Sequence, residues 1–366
     1  MNLSQSEIRQ YQRQMILKGF GKNAQLKLKQ SKVLCVGAGG LGSPVLLYIA
    51  AAGVGTIGIV DPDCVDTTNL HRQVIHSTHS VDRLKTNSAK ERMHQINPHI
   101  TINEYAEALS KDNVLSLFND YDLIIDGTDN FQTRYLINDA AIFTGKPVVF
   151  ASIHEFVGQV TIFADKEGPC YRCIFPTPPD PNSINPCSVT GVLGVLPGVV
   201  GSIQATECIK YLTGTGKTLV GRLLTYDSLA MRFSEFKLKK NISCAVCSES
   251  PSQTEFIDYD QFCGINTHKT SDIFNLTLMQ IKEKMHFPET ILVDIRDDEV
   301  IEHSILEQAK RIPFQRIFQQ SDTLFSSENT YVFLCNSGKQ SEKVIHFLKN
   351  KGFQNVFHLE NGLENI

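Results

Sequence analysis

Long runs of any single kind are missing from this 366-residue chain. No stretch of five or more basic residues occurs and the formal net charge is only −4, so nothing marks a nucleic-acid-binding surface. No segment approaches the ~18 uninterrupted apolar residues of a membrane span. The opening residues, MNLSQSEIRQ, lack the apolar core of a secretory signal. These absences predict a cytoplasmic protein with no nucleic-acid or membrane partner. In that compartment its 10 cysteines read as metal ligands, catalytic thiols or buried apolar residues rather than disulfides. What remains is ordinary for a soluble globular protein, 42% hydrophobic and 20% charged, and long enough for two domains.

The most informative stretch is 32–63, KVLCVGAGGLGSPVLLYIAAAGVGTIGIVDPD. An apolar strand at 33–36 leads into Gly37, Gly39 and Gly42, spaced G-x-G-x-x-G. An apolar helical pattern and a second strand, 57–60, then end at Asp61. Strand, glycine turn, helix, strand and terminal acid is the order of a dinucleotide-binding βαβ unit. Glycines let the backbone approach a phosphate, and free N–H groups at the helix start favour negative charge. Asp61 lies 19 residues past Gly42, near the spacing at which a carboxylate reaches ribose hydroxyls. A glycine turn serving only helix–strand packing is the plainer alternative.

Beyond Asp61, the segment PDCVDTTNLHRQVIHS crowds Asp63, Asn69, Arg72 and Gln73 past the carboxyl end of a strand, where open α/β sheets bind ligands. A helix is predicted over 80–96. Lys85 near its start opposes the helix dipole and should have another partner: a phosphate would serve, and plain exposure is the alternative. Alternation continues with strands at 100–105 and 123–126 and helices at 110–118 and 130–144. At the end of 123–126 the sequence GTDNFQTR presents Asp129, either a magnesium ligand or a helix N-cap. At the other end of the order, residues 4–17 form an amphipathic helix with Ser4 and Glu7 as a capping box and Arg9 and Arg13 on one side.

After strands at 147–151 and 158–163 the composition changes. Cys170-Tyr-Arg-Cys173 precedes a proline-rich loop leading to Cys187, and Cys244-Ala-Val-Cys247 follows Cys173 after 70 intervening residues. Two C-x-x-C pairs supply four soft ligands for a structural, closed zinc site. A helix at 197–212 and strands at 222–226 and 233–238 complete a first domain, residues 1–248. Residues 249–272 read as a linker whose aromatics suggest packing. A smaller α/β unit, 273–366, has a strand at 331–334 ending at Cys335 and turning through Asn-Ser-Gly-Lys-Gln-Ser341 into a helix. Converging N–H groups there would stabilise a thiolate or bound anion, and a buried core cysteine is the alternative.

Together QYQRQMIL, GAGGLG, DPDCVDTTNLHRQ, Lys85, DGTDN, both cysteine pairs and the run from Cys187 to Gly194 resemble the MoeB/ThiF family, relatives of the ubiquitin-activating enzymes. The resemblance covers about residues 4–248. It implies a Rossmann-like, doubly wound, mostly parallel sheet with a structural zinc, and ATP-dependent adenylation of the C-terminal glycine of a ubiquitin-like sulfur carrier ending in glycine-glycine. It further implies that Gly40 and neighbouring backbone meet the ATP phosphates, that Asp61 holds the ribose, and that Asn69, Arg72, Gln73 and Lys85 bind phosphates. Asp129, with Asn130 of the same motif, would serve the Mg²⁺–ATP site. Arg13 would reach a partner subunit's site, which implies a homodimer, and Cys187 matches a position where some members join the carrier covalently.

The second unit resembles a rhodanese domain. CNSGKQS is similar to C-x-x-G-x-R-S, with Cys335 as the persulfide carrier, and LVDIRDDE to LVDVR-x-x-x-E. Gln340 replaces the usual arginine, HSILEQAKRIPF lacks the usual glycine-alanine, and LENGLENI is a loose version of the family's ending. Lys339 could restore some of the lost charge. The resemblance implies sulfur transfer from a persulfide donor to give a thiocarboxylate for thiamine, molybdopterin or related biosynthesis. The rivals are adenylation of another carboxylate (a peptide or amino acid) and a carrier-binding scaffold with an inactive tail.

Overall fold

Strands whose alternate residues are both apolar must be buried on two faces, and the first unit is built that way. A computed structural model describes residues 2–179, 191–264, 274–296, 307–336, 338–360 and 362–363, apart from the side chains of Gln319, Asp322 and Lys339. The chain divides into two compact units, Met1–Ile265 and Asn266–Ile366.

In the first unit α1 (Gln5–Met15) and α2 (Gly21–Gln30) precede β1 (Lys32–Val36), α3 (Gly42–Ala52) and β2 (Thr56–Val60). Then come α4 (Lys85–Ile96), β3 (Thr101–Tyr105), α5 (Val114–Asn119), β4 (Leu123–Asp126), α6 (Phe131–Thr144), β5 (Val148–His154) and β6 (Val157–Phe163). The unit closes with α7 (Tyr171–Ile174), α8 (Leu196–Thr213), the hairpin β7 (Arg222–Asp227) and β8 (Arg232–Lys237), and α9 (Tyr259–Phe262).

The strands form one sheet in the order β3-β2-β1-β4-β5-β6-β7-β8. Pairs from β3 to β5 are parallel and those from β5 to β8 antiparallel. Alternation in β1 sends Val33 and Cys35 to one face, packed with Val45, Ile49 and Cys208, and Leu34 and Val36 to the other, packed with Phe118, Tyr135 and Ile137. Because β2 and β3 lie on one side of β1 and β4 on the other, the chain reverses direction between β1 and β4. A crevice opens beyond their carboxyl ends.

Three local departures from the sequence reading have physical causes. The helix expected over 80–96 begins at Lys85, after a 3-10 turn at Thr78–Ser80 and a left-handed Asp82 (φ 67°). α2, whose sequence GKNAQLKLKQ is mostly polar, buries only Ala24, Gln25 and Leu28 and carries too weak a stripe to stand out. Part of the segment expected as a linker belongs to the first unit. Gln253 Nε2 and the Tyr259 hydroxyl donate to Asp139 Oδ2 (2.7 and 2.9 Å), and Phe256, Tyr259 and Phe262 join the core around Tyr135. Residues 265–272 lie outside the described residues.

The second unit contains β9 (Asn275–Leu276), α10 (Leu278–Lys284), β10 (Thr290–Asp294), β11 (Lys310–Arg311), α11 (Phe314–Leu324), β12 (Thr330–Leu334), α12 (Lys339–Asn350) and β13 (Val356–Leu359). Its all-parallel sheet runs β11-β10-β12-β13-β9, with β12 at the centre. The protein is thus α/β throughout.

Candidate active site

The turn after β1 is shaped by contacts that leave no room for side chains. Gly37 has φ +96°, and a Cβ there would lie 2.8 Å from the Gly127 carbonyl oxygen at the end of β4. A Cβ on Gly42 would lie 2.0 Å from the Gly37 carbonyl oxygen, which is backbone and cannot yield. Gly39 and Gly40 face the loop after β2. Gln73 Nε2 lies 3.6 Å and Arg72 Cδ 3.7 Å from where their respective Cβ atoms would stand. The glycines therefore bring the turn, the β4 end and the 63–73 loop together at the crevice.

Asp61 anchors this arrangement. Its Oδ2 accepts from the Ala38 N–H (2.8 Å) and its Oδ1 from the Asp63 N–H (2.9 Å). Burial raises its pKa, and the Lys85 charge and these two N–H groups work against that rise. Lys85 is buried, which removes the reading as an exposed lysine. Its Nζ donates to Asp63 Oδ2 at 2.7 Å and stands 3.9 Å from Asp61 Oδ1. The partner demanded by its unfavourable position at a helix start is therefore a pair of carboxylates. The Asp63 side chain is itself 65% exposed, so this ion pair can open toward an incoming anion.

Asn69 ends a 3-10 turn (Thr67–Asn69) capped by Asp66, whose Oδ1 accepts from the Thr68 N–H. Asn69 Oδ1 then accepts from both Arg72 Nη2 (3.0 Å) and Gln73 Nε2 (3.2 Å). One side chain thereby aims two donors. The buried Gln73 Oε1 has no partner among the described residues, an unmet acceptor at the mouth of the turn.

Beyond β4, Asn130 caps α6, its Oδ1 accepting from the Thr133 N–H (2.9 Å). That corrects the N-cap alternative for Asp129, which precedes the cap, is exposed, and makes no hydrogen bond or ion pair among the described residues. A free carboxylate just past a strand end fits a magnesium ligand set, which usually takes one or two carboxylates and completes itself with phosphate oxygens and water. Arg13 lies exposed in the last turn of α1.

Three contributors were not visible in the sequence reading. His76, buried, bridges Ala38 of the turn (Nε2 to carbonyl, 3.0 Å) and Ser88 of α4 (Nδ1 to Oγ, 2.9 Å). Burial lowers its pKa to about 4, so at neutral pH it is a neutral ring donating one N–H to the turn. Gln204 of α8 donates to the Asp126 and Val149 carbonyls (2.7 and 2.8 Å), tying the end of β4 to the start of β5. Arg134 donates to the Thr128 carbonyl (3.0 Å) beneath Asp129. A lone amide in the apolar run GVVGSIQATE was the signal for Gln204.

The four cysteines of the two C-x-x-C pairs come together, their sulfurs all within 4.8 Å of one another. Cys170 lies 3.5 Å from Cys244, and Cys173 lies 3.3 Å from Cys247. S–H contacts with Cys170 and Cys247 pull the Cys173 pKa down, and contacts with Cys173 and Cys247 push that of Cys170 up. Four thiols converging in a partly buried knuckle can hold a metal ion, and a closed set of four sulfurs suits zinc. Between the first pair, Arg172 turns inward to a bidentate pair with Asp139 (2.8 Å to each oxygen) and lies against both the Tyr135 and Phe262 rings. Removing one partner of such a buried pair typically costs about 3–5 kcal/mol. Cys187 lies outside the described residues. The run that follows it returns to the crevice, where Gly194 packs on the His71 carbonyl.

In the second unit Cys335 follows β12 and α12 begins at Lys339. The Ser341 N–H donates to Cys335 Sγ (3.3 Å), and Ser341 Oγ lies 3.2 Å from the same sulfur. Gly362 packs against the loop so closely that a Cβ would stand 2.1 Å from the Asn336 carbonyl oxygen. Arg296, paired with Asp294, reaches Asn336 Oδ1 at 3.4 Å and brings a positive charge to the loop. Gln340 is exposed, and the Lys339 side chain lies outside the description.

Residues 11–246 match the ThiF family and residues 277–366 match the rhodanese-like domain. The chain is similar to the Probable adenylyltransferase/sulfurtransferase MoeZ of Mycobacterium tuberculosis, 40% identical over 99% of this chain and 93% of that protein. It is similar also to a sulfur carrier protein adenylyltransferase of Thermus thermophilus, 46% identical over 72% of this chain and 100% of that protein. Among solved structures, E. coli MccB with MccA-N7isoASN shares the fold (TM-score 0.60, 21% identity, 68% of this chain and 76% of that chain). Crevice and thiol loop lie one in each matched region: the chain belongs to the ThiF family and carries a rhodanese-like domain after it.

Proposed function

We propose that this protein is an adenylyltransferase and sulfurtransferase acting on a ubiquitin-like sulfur carrier that ends in glycine-glycine. The single observation that carries the reading is the crevice between β1 and β4. Its backbone turn admits no Cβ at Gly37 or Gly42, donors converge through Asn69, and Asp129 is uncommitted. The similarity to MoeZ and to a sulfur carrier protein adenylyltransferase supports the choice of substrate over a free amino acid or another peptide.

In this reading ATP lies over the glycine turn, with Gly40 and neighbouring N–H groups at its phosphates and Asp61 at the ribose. The carrier's terminal carboxylate attacks the α-phosphorus and pyrophosphate leaves with its electron pair, giving an acyl-adenylate. Attack brings anionic groups together, so Arg72, Gln73 and Lys85 act by stabilising the crowded charge, and no side-chain nucleophile is needed. Lys85 leaves Asp63 for a phosphate oxygen as ATP binds. Mg²⁺, held by Asp129 with Asn130 beside it, would neutralise the phosphates. Arg13 would complete the site of the other subunit in a homodimer. Zinc at Cys170, Cys173, Cys244 and Cys247 would be structural, since four sulfurs leave no open position. Cys335 would carry persulfide sulfur from a donor to the adenylate, and Cys187, by its position in the family's motif, would be the residue that joins the carrier covalently. With nine described cysteines all free, the cytoplasm is the fitting compartment.

Carrier-dependent pyrophosphate release tests this reading. Asp129→Ala should reduce it by about a hundredfold or more with an unchanged thermal midpoint. Near-normal release would remove Asp129 from the mechanism.

A further inference from the structure

Around Cys335 the side chains of Ser341 and His358 form a continuous polar chain, with the buried Asp294–Arg296 pair reaching the same loop at Asn336. Ser341 Oγ lies 3.2 Å from Cys335 Sγ and 3.1 Å from His358 Nδ1, and it can also donate to the Gly338 carbonyl at 2.9 Å. Cys335, Ser341 and His358 are all buried, and His358 comes from β13, the strand beside β12. A serine so placed has one proton and three possible acceptors, so its hydroxyl direction must change with the charge on the sulfur. A buried imidazole joined by hydroxyl to a thiol is costly to keep unless it is paired, and here it is paired.

We propose that Cys335, Ser341 and His358 form a proton relay that activates Cys335, with His358 the positioning residue that acts through Ser341. The proposal rests on reading Cys335 as the sulfur carrier. In the relay the Cys335 S–H proton passes to Ser341 Oγ while Ser341's own proton passes to His358 Nδ1. One S–H and one O–H bond break, one O–H and one N–H bond form, and a thiolate and an imidazolium result. The thiolate then attacks the outer sulfur of a donor persulfide, R–S–SH. The donor's S–S bond breaks, its electron pair leaves with R–S⁻, and Cys335 holds the sulfur as Sγ–SH. R–S⁻ takes up a proton from solvent and His358 returns one, so the sum is the exchange of one sulfur atom. Once the thiolate forms, the chain reverses its direction. His358 N–H donates to Ser341, and the Ser341 O–H and N–H both donate to the sulfur.

The relay also accounts for how a loop with Gln340 in place of arginine can hold a sulfur anion: an imidazolium formed in step with the thiolate supplies positive charge through Ser341. Burial lowers the His358 pKa, Glu342 of α12 and Glu360 after β13 work to raise it, and His346 of α12 lowers it further. The thiolate formed in the same step supplies the favourable charge that burial takes away.

Persulfide formation on Cys335 in the full-length protein tests the relay, with glutathione persulfide as donor and peptide mass as readout across neutral pH. His358→Ala should move the rising limb of the pH–rate profile upward and slow loading about tenfold near neutral pH, with carrier adenylation unchanged. His358→Asn restores an N–H toward Ser341 but cannot take a proton, so its profile should stay displaced. Should His358→Ala fail to fold, His358→Asn alone decides. An Asn variant with the wild-type profile would overturn the relay and leave a purely steric role. Wild-type protein that takes no sulfur at all would instead sink the sulfurtransferase reading, and the relay with it.

Discussion

The two strand-end sites are built to one plan and tuned for opposite tasks. In each, a strand of a parallel stretch of sheet (β1 or β12) is followed within a few residues by a helix start, the kind of turn that can offer backbone N–H groups to an anion. At β1 the surroundings are charged and partly open: Lys85 paired with an exposed Asp63, half-buried Arg72, and exposed Asp129. At β12 the Cys335 sulfur is buried, its polar contacts are the Ser341 N–H and hydroxyl, and an imidazole stands behind that hydroxyl. A triphosphate brings several charges and must be met by several. A single sulfur anion on the buried Cys335 would be met by the Ser341 dipoles, with the Arg296 charge at the loop, and burial makes each worth more. The same strand-to-helix plan would thus serve a large anion or a small one according to what surrounds it.

Separating the two sites by substitution gives the largest expected effects. Gly42→Ala drives a Cβ into the Gly37 carbonyl and should lower carrier-dependent pyrophosphate release by about a hundredfold or more, leaving Cys335 persulfide loading intact. Cys335→Ala should do the reverse, abolishing sulfur transfer with pyrophosphate release unchanged. If either variant damages both reactions, the sites are not independent. Next in size is Cys244→Ser, which should release bound metal, read by elemental analysis, and lower the thermal midpoint of the first unit. Unchanged metal content would sink the assignment of the four sulfurs.

A smaller effect should appear as a pH dependence. His76 titrates near 4 when folded and near its ordinary value of about 6.5 when unfolded, so the unfolded chain binds the extra proton first. Its neutral form therefore favours the native state fully above about pH 6.5. That contribution is lost as pH falls toward 4, about 3 kcal/mol in all. His76→Gln, which keeps an N–H for the Ala38 carbonyl, should flatten that part of the acid denaturation curve. A curve of unchanged slope would show that His76 is not the group titrating. Smallest of all, Gln340→Arg should raise sulfur loading by about two- to fivefold, because one more charge adds to a pocket already furnished with donors. A loss would mean that the wild-type loop has adapted to the neutral side chain.

Much of this was legible in the sequence because it is local. The glycine spacing, the Ser4–Glu7 capping box and the strand-helix alternation depend on neighbours within a few residues, and the structure reproduces them. The meeting of the two cysteine pairs was also legible, since soft ligands in C-x-x-C pairs have few other uses. What escaped depends on distant partners. Lys85 near a helix start could be seen to need a partner, but Asp63, 22 residues away, could not be chosen over a phosphate. Asp129 and Asn130 are both good caps, and only the backbone at Asn130 (φ −123°, ψ 149°) decided between them. His76 and His358 looked like any histidine until Ser88 and Ser341 came within hydrogen-bond reach. The aromatics of 253–264 hinted at packing without saying where, because Asp139 lies more than 100 residues earlier.

The most direct test of the central claim is the intact mass of a glycine-glycine-ended carrier after incubation with this protein, MgATP and a persulfide donor. A gain of one AMP without the donor, and exchange of one oxygen for sulfur with it, is the expected result. A carrier of unchanged mass under both conditions, from both a thiamine-type and a molybdopterin-type pathway, would contradict it.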